Sequence, residues 1–258
     1  MHKRNDWFCQ LGKSDKPPTF LIFGDSHSRS FLPTFDEAAA ATGENGVFVG
    51  MNGCLPFLSV HVLKRNTCHA LNQRVLDYAR QNNIRKVFLV GRWTYYTDGD
   101  YDGVDFNAIV TELPGKANLE LSRQAFVKGL DATIAAYEQA GVALYLLAQV
   151  PQQRNEAKDI YYRAFTNDPE KFNAALRARS VTVAEHQRLQ SFVNARFAER
   201  QRDKGLQVIS FDNIFCSELV CRVGTADQSY YLDANHLSVS GAQLAVNQVM
   251  QYLKSEGQ

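Results

Sequence analysis

The feature that most constrains this chain is a repeated alternation, in which short apolar runs too uniform for a half-exposed strand are each followed by a stretch of helical composition. Thr19-Phe20-Leu21-Ile22-Phe23-Gly24 is the first such run, and Phe31 through Ala41 is the helical stretch after it. Runs of this kind suit strands covered on both faces, and strands separated by helices pair in parallel. The pattern continues with Gly46 to Met51 as strand, His69 to Gln81 as helix, Lys86 to Gly91 as strand, Ser122 to Ala140 as helix and Val142 to Ala148 as strand. A long helix over Val183 to Lys204, a strand over Leu206 to Phe211 and a closing helix over Ser240 to Lys254 complete it. The expected fold class is α/β, a three-layer doubly wound sheet of about five parallel strands. Residues 19 to 258 read as one domain. Residues 1 to 18, polar and ending in Pro17-Pro18, read as a linker or packed lead-in.

Three connections are longer than such folds usually need: Asn52 to Cys68, Arg92 to Leu121 and Pro151 to Ser180. All three leave the carboxyl end of a strand or lie on that edge, where open parallel sheets bind ligands. Charge excludes some partners. The 28 Lys and Arg residues nearly cancel 27 Asp and Glu, so the formal net charge of +1 supplies no field to hold nucleic acid. No apolar run approaches about 20 residues, so no membrane-spanning helix is expected within the chain, and Met1 to Arg4 does not lead into a signal-peptide core.

The five cysteines fall in a suggestive pattern. Cys54 and Cys68 flank one loop, and Cys216 and Cys221 flank a shorter one, which is where disulfides staple segments with little core of their own. Metal ligation is the rival reading, but neither pair has CxxC spacing and His69 is the sole imidazole near Cys68. Five reduced thiols in a cytosolic enzyme stay open as a third. With both bridges formed Cys9 is left over, and the domain would be an exported one whose export segment lies upstream.

Two short words carry the chemistry. Gly24-Asp25-Ser26-His27-Ser28 stands where the first strand gives way to a helix, so that the Ser26 hydroxyl is presented above the sheet edge while its amide points from a helix N-terminus toward a developing oxyanion. A capping role alone for Asp25 or Ser26 is the plainer alternative. Asp233-Ala234-Asn235-His236 precedes the last helix. Asp233 could hold the Nδ1–H of His236 and leave Nε2 to take the Ser26 proton, which a serine hydroxyl requires before it attacks an ester. The two words sit at the first and last sheet-to-helix junctions. His27 is one residue from Ser26 and faces elsewhere, so it is expected to line the pocket and not to act as base. His61, His69 and His186 have no partner legible in the sequence.

Gly24-Asp25-Ser26 near the start and Asp233-x-x-His236 near the end together resemble the SGNH/GDSL hydrolase superfamily, whose sheet is flavodoxin-like. Gly53-Cys54-Leu55-Pro56, Gly91-Arg92-Trp93 and Leu237-Ser238 further resemble the periplasmic SGNH domain joined to membrane acyltransferase-3 proteins, over roughly residues 19 to 254. The resemblance implies an O-acetyltransferase acting on a bacterial surface glycan such as O-antigen, lipopolysaccharide or peptidoglycan. It places Ser26 as nucleophile, Asp233 and His236 as its partners, and the amides of Ser26 and Gly53 in the oxyanion hole. It implies no cofactor and no metal, a glycan acceptor and an acyltransferase-3 membrane domain in the same full-length polypeptide as partners, and a periplasmic location tethered to the inner membrane. One departure stands out: the family's third oxyanion donor is an asparagine in a Gly-x-Asn-like block after a central strand, and the matching place reads Gly91-Arg92-Trp93-Thr94. Arg92 or Asn52 is the candidate third donor. The aromatic residues Trp93, Tyr95, Tyr96 and Tyr161 are candidates for contact with a sugar ring, against ordinary loop packing. A secreted carbohydrate esterase and a catalytically weak glycan-binding module are the alternative functions.

Overall fold

The computed structural model describes residues 8–12 and 16–254. Its first half runs β1 (Cys9–Leu11), β2 (Phe20–Gly24), α1 (Ser26–Ser30), α2 (Leu32–Thr42), β3 (Gly46–Gly50), β4 (His61–Val62), α3 (Cys68–Gln81), β5 (Lys86–Val90), β6 (Ile109–Val110) and α4 (Leu119–Gln139). The second half runs β7 (Ala143–Leu147), α5 (Ala157–Ala164), α6 (Pro169–Arg179), β8 (Val181–Thr182), α7 (Val183–Leu189), α8 (Ser191–Lys204), β9 (Gln207–Ile209), α9 (Asp212–Phe215), β10 (Val220–Cys221), α10 (Val239–Gln243) and α11 (Val246–Lys254).

Period-two alternation in β2 explains the three layers. Leu21 and Phe23 point to one face, where they join Val75 of α3, Leu130 of α4 and Phe197 of α8. Phe20 and Ile22 point to the other, where Phe35 of α2 and Val249 of α11 cover them. Each such ring or branched chain removed from water contributes about 1.5–3 kcal/mol, so β2 is fixed in register from both sides. The central sheet has the order β1-β3-β2-β5-β7-β9. The chain leaves β2 for β3 on one side and then crosses to β5 on the other, which makes the carboxyl end of β2 the switch point where such sheets bind ligands.

The sheet has six strands, with β1 added to the expected five. Cys9–Leu11 lies antiparallel against β3, with Cys9 opposite Phe48 and Leu11 opposite Gly46, so the segment read as a lead-in carries an edge strand. Leu11 is its one buried side chain, too little apolar pattern to mark a strand. The connection from Pro151 to Ser180 is also not a bare loop, because it contains α5 and α6. Asp168 caps α6 by accepting from the Glu170 and Lys171 amides, and Pro169 occupies its first turn. The long helix expected over 183–204 breaks at Gln190, whose buried side chain donates to Gln149 O and is spent on tertiary contact. No helix among the described residues is long and apolar enough to cross a membrane.

Candidate active site

The elbow after β2 is built by Asp25. A Cβ on Gly24 would lie 1.7 Å from Val90 O, so β2 and β5 approach too closely there for any side chain. Asp25 then caps α1, its Oδ1 accepting from the His27 amide at 2.9 Å, while its Oδ2 accepts from the Arg92 amide at 2.9 Å and the Tyr96 hydroxyl at 3.1 Å. Burial raises the Asp25 carboxyl above its ordinary range, although the amides of Arg92 and His27 and the Tyr96 phenol pull it down. Because Asp25 takes the capping role, Ser26 is free to face outward. Among the described residues, no acceptor takes the Ser26 or the Gly53 amide.

The second word closes on the first. Asp233 to His236 form a tight turn at the tip of a bridge between Tyr231 and Leu237, with the Leu232 amide donating to His236 O at 2.9 Å. Asp233 Oδ1 accepts from the Asn235 and His236 amides at 2.8 and 2.7 Å, and Ser238, not Asp233, caps α10. The other Asp233 oxygen accepts from His236 Nδ1–H at 2.6 Å, and Ser26 Oγ–H donates to His236 Nε2 at 2.7 Å. Burial by itself raises Asp233, but the hydrogen bonds from the His236 ring and the His236 and Asn235 amides outweigh it and hold the carboxyl far below its usual range. A permanently ionised Asp233 fixes the Nδ1–H tautomer and leaves Nε2 as the acceptor that a serine needs.

His27 does not line the cleft. It lies buried behind the elbow, its ring 4.9 Å from that of His236, with Nε2–H donating to Asn235 Oδ1 at 3.0 Å. Burial first, then the charges of His236 and Arg92, lower it to about 3, so it is neutral. His27 and Asn235 therefore clamp the Asp233–His236 turn onto α1. Neither role is legible from a motif, since the two residues are 208 positions apart.

The cleft over Ser26 has a volume of about 650 Å³, and Asn52, Gly53, Arg92 and Tyr95 are among its walls. Gly53 has φ +66°, a conformation that favours glycine. Its carbonyl accepts from Asn107 Nδ2 at 3.1 Å, and the next residue, Cys54, is bonded to Cys68 at the start of α3. Asn107 is buried in the same wall with its Oδ1 unpartnered, and it escaped sequence reading because it belongs to no recognisable word. Arg92 Nε donates to Gln152 Oε1 at 3.2 Å and its Nη1 pairs with Asp105. A second bridge joins Cys216 and Cys221, and buried His186 meets Asp212 at 3.0 Å.

Three of the four aromatic candidates are misplaced for a sugar. Trp93 is fully buried, donating Nε1–H to Leu147 O at 2.7 Å and stacking on Phe57. Tyr96 is equally buried and serves Asp25. Tyr161 is spent on the Thr225 and Gln228 carbonyls at 2.6 and 2.7 Å, outside the cleft walls. Tyr95 alone of the four reaches the cleft, with Arg92 over its ring at 5.1 Å. The sequence could not separate them because alternate faces of one 3-10 turn, Trp93–Tyr96, point to core and cleft.

A serine presented at a switch-point elbow and linked to a turn from the far end of the chain, over a doubly wound sheet, is the SGNH hydrolase fold. Residues 1–251 match the family described as "SGNH domain (fused to AT3 domains)", and the chain belongs to that family. Among solved structures, the periplasmic domain of the lipopolysaccharide acetyltransferase of Salmonella ser. Paratyphi A superposes with a TM-score of 0.63 at 15% identity, over 93% of this chain and 85% of that one. A carbohydrate acetylesterase from Sinorhizobium meliloti gives 0.50 at 11% identity, covering 92% and 98%. An acetyl xylan esterase gives 0.52 at 12%, covering 91% and 99%. At these identities the likeness is one of fold. No match is found among curated proteins.

Proposed function

We propose that the chain is an O-acetyltransferase that carries an acetyl group on Ser26 and hands it to a hydroxyl of a bacterial surface glycan. The observation that supports this reading best is the continuous relay from Ser26 Oγ through His236 to Asp233, with separations of 2.7 and 2.6 Å. In it, His236 Nε2 takes the Ser26 proton as Oγ bonds to the donor's carbonyl carbon. The oxyanion then faces the amides of Ser26 and Gly53, with Arg92 or Asn52 as the third donor, and collapse expels the leaving group, which takes the proton from Nε2. An acceptor hydroxyl repeats the sequence in reverse. Its proton passes to Nε2 and on to Ser26 Oγ as the acetyl group moves to the glycan oxygen.

Water can resolve the same intermediate, which would make the chain a carbohydrate esterase. Membership of a family fused to AT3 domains favours transfer, with acetyl arriving from an acyltransferase-3 membrane domain in the same polypeptide and the present domain on the periplasmic side. The two outcomes separate in one experiment. The purified domain is acetylated with 4-nitrophenyl acetate and chased with deacetylated surface polysaccharide, and acetyl on the polysaccharide is compared with free acetate. Acetylated polysaccharide that depends on Ser26 supports transfer, acetate alone supports the esterase, and no acetyl-enzyme in the presence of glycan binding supports a binding module.

A further inference from the structure

Four basic and three acidic side chains line the cleft over Ser26, and its field is set by which of them are paired. Arg29, Lys64, Arg65 and Arg92 stand in its walls against Asp25, Asp105 and Asp233. All three carboxylates are engaged: Asp105 pairs with Arg92, Asp233 with His236, and Asp25 is buried among two amides and the Tyr96 hydroxyl. Among the described residues, Arg29, Lys64 and Arg65 have no carboxylate within ion-pair distance. Lys64 spends one of its three donors on Phe106 O at 3.1 Å. Arg29 follows Ser26 by three residues on α1, so the two share a helix face. Arg65 leans over the oxyanion turn, since a Cβ placed on Gly53 would lie 3.8 Å from its Nε. The three cations thus come from two separate segments and line the same cleft over Ser26.

We propose that this wall selects a glycan acceptor bearing an anionic substituent, a carboxylate or a phosphate, near the hydroxyl that receives the acetyl group. The inference rests on the acyl-transfer reading of Ser26 and names the substrate class of that same site. Guanidinium groups bind both anions through paired N–H donors, which a neutral sugar cannot match. Single exposed charges contribute little, but several facing one anion at low salt give about a tenfold preference. The transfer itself is unchanged: acetyl leaves Ser26 Oγ for the acceptor oxygen, and the acceptor's proton returns to Oγ through His236.

The test is an NMR titration of the Ser26→Ala protein, which cannot turn over, with methyl β-D-glucoside, methyl β-D-glucuronide and α-D-glucose 1-phosphate. The expected result is that at least one anionic sugar binds about ten times more tightly than the neutral one, the better anion identifying carboxylate or phosphate. That advantage should vanish in Arg29→Gln/Arg65→Gln and shrink several-fold as salt is raised; a Lys64→Gln variant serves if the double variant melts early. Equal or undetectable binding of all three sugars, or an advantage that survives the substitutions, overturns the proposal. So does Arg29- and Arg65-dependent sedimentation with phosphatidylglycerol vesicles without sugar selectivity, which would assign the wall to a membrane surface. Acetylation of Ser26 in the wild-type chain is scored separately, so that failure of the acyl-enzyme reading leaves the sugar affinities standing on their own.

Discussion

Replacing Asp25 by Asn tests whether the buried carboxylate, and not capping alone, holds the elbow together. Three donors converge on it, the amides of His27 and Arg92 and the Tyr96 hydroxyl, at 2.9, 2.9 and 3.1 Å. Asparagine keeps one oxygen for the His27 amide, but it turns an NH₂ toward the Arg92 N–H, while the Tyr96 hydroxyl can rotate its proton away and accept from that NH₂. The buried Arg92 amide left without an acceptor costs about 1–3 kcal/mol, and the Tyr96 bond, charge-assisted to the carboxylate, is weaker to the amide by about 1 kcal/mol. Removing a carboxylate that burial already disfavours returns part of that, so the net loss is about 1–3 kcal/mol. For a chain of this size each kcal/mol lowers Tm by about 2–4 °C, and calorimetry at pH 7 should find a drop of about 2–12 °C. The tie between the elbow and Arg92 is lost with it, so fluorophosphonate labelling of Ser26 in the surviving folded protein should slow by about tenfold or more. Tyr96→Phe removes a hydroxyl that bonds more strongly to the carboxylate than to the amide. In the Asp25→Asn background it should therefore cost less than it does alone, giving a non-additive cycle. A melting temperature within about 2 °C of wild type together with strict additivity would refute the reasoning.

Other consequences are equally concrete. Asp233→Asn cannot enforce the Nδ1–H tautomer of His236, and esterase turnover with 4-nitrophenyl acetate should fall by about 10³–10⁴ while folding is nearly preserved. His27 is held at about 3 when folded against an ordinary 6.5. The unfolded chain therefore takes the proton first, and the stability due to neutral His27 is complete above pH 6.5 and is lost as pH falls toward 3. The slope is about 1.4 kcal/mol per pH unit, so urea unfolding at pH 7 and pH 4.5 should differ by about 2–3 kcal/mol more in wild type than in His27→Gln; parallel losses in the two proteins would exclude the clamp as described. Cys54→Ser opens a link spanning 14 positions, with an expected cost of about 3 kcal/mol in the chain-entropy model. Because Gly53 adjoins that bridge, reductant should lower Ser26 labelling along with Tm; a fall in Tm with unchanged labelling would separate the bridge from the reactivity of Ser26.

The layout of strands and helices was legible because both faces of the sheet are covered, which leaves uninterrupted apolar runs such as Phe20–Phe23 and Val87–Val90. What escaped was short or locally polar. The β1 strand offers one buried leucine, and α5 and α6 lie in a stretch whose start signal, Asp168-Pro169-Glu170, is visible once sought. The positions of Ser26, Asp233 and His236 could be read from two words, because each word folds locally around its own aspartate. Contacts between distant segments could not be read. His27 with Asn235, Asn107 with Gly53, and the opposite fates of Trp93 and Tyr95 depend on how separate loops meet, which no spacing encodes.

Everything functional turns on whether the hydroxyl at position 26 becomes acylated through the imidazole at 236. The direct measurement is rapid quenching of the protein with 4-nitrophenyl acetate, digestion, and mass analysis of the peptide that carries Ser26. An acetyl group on that residue, formed in a burst with one equivalent of nitrophenol and abolished in both Ser26→Ala and His236→Gln, is the result expected. Acetyl found only on lysines or on the surface, or a Ser26 adduct that forms equally fast without His236, would contradict it.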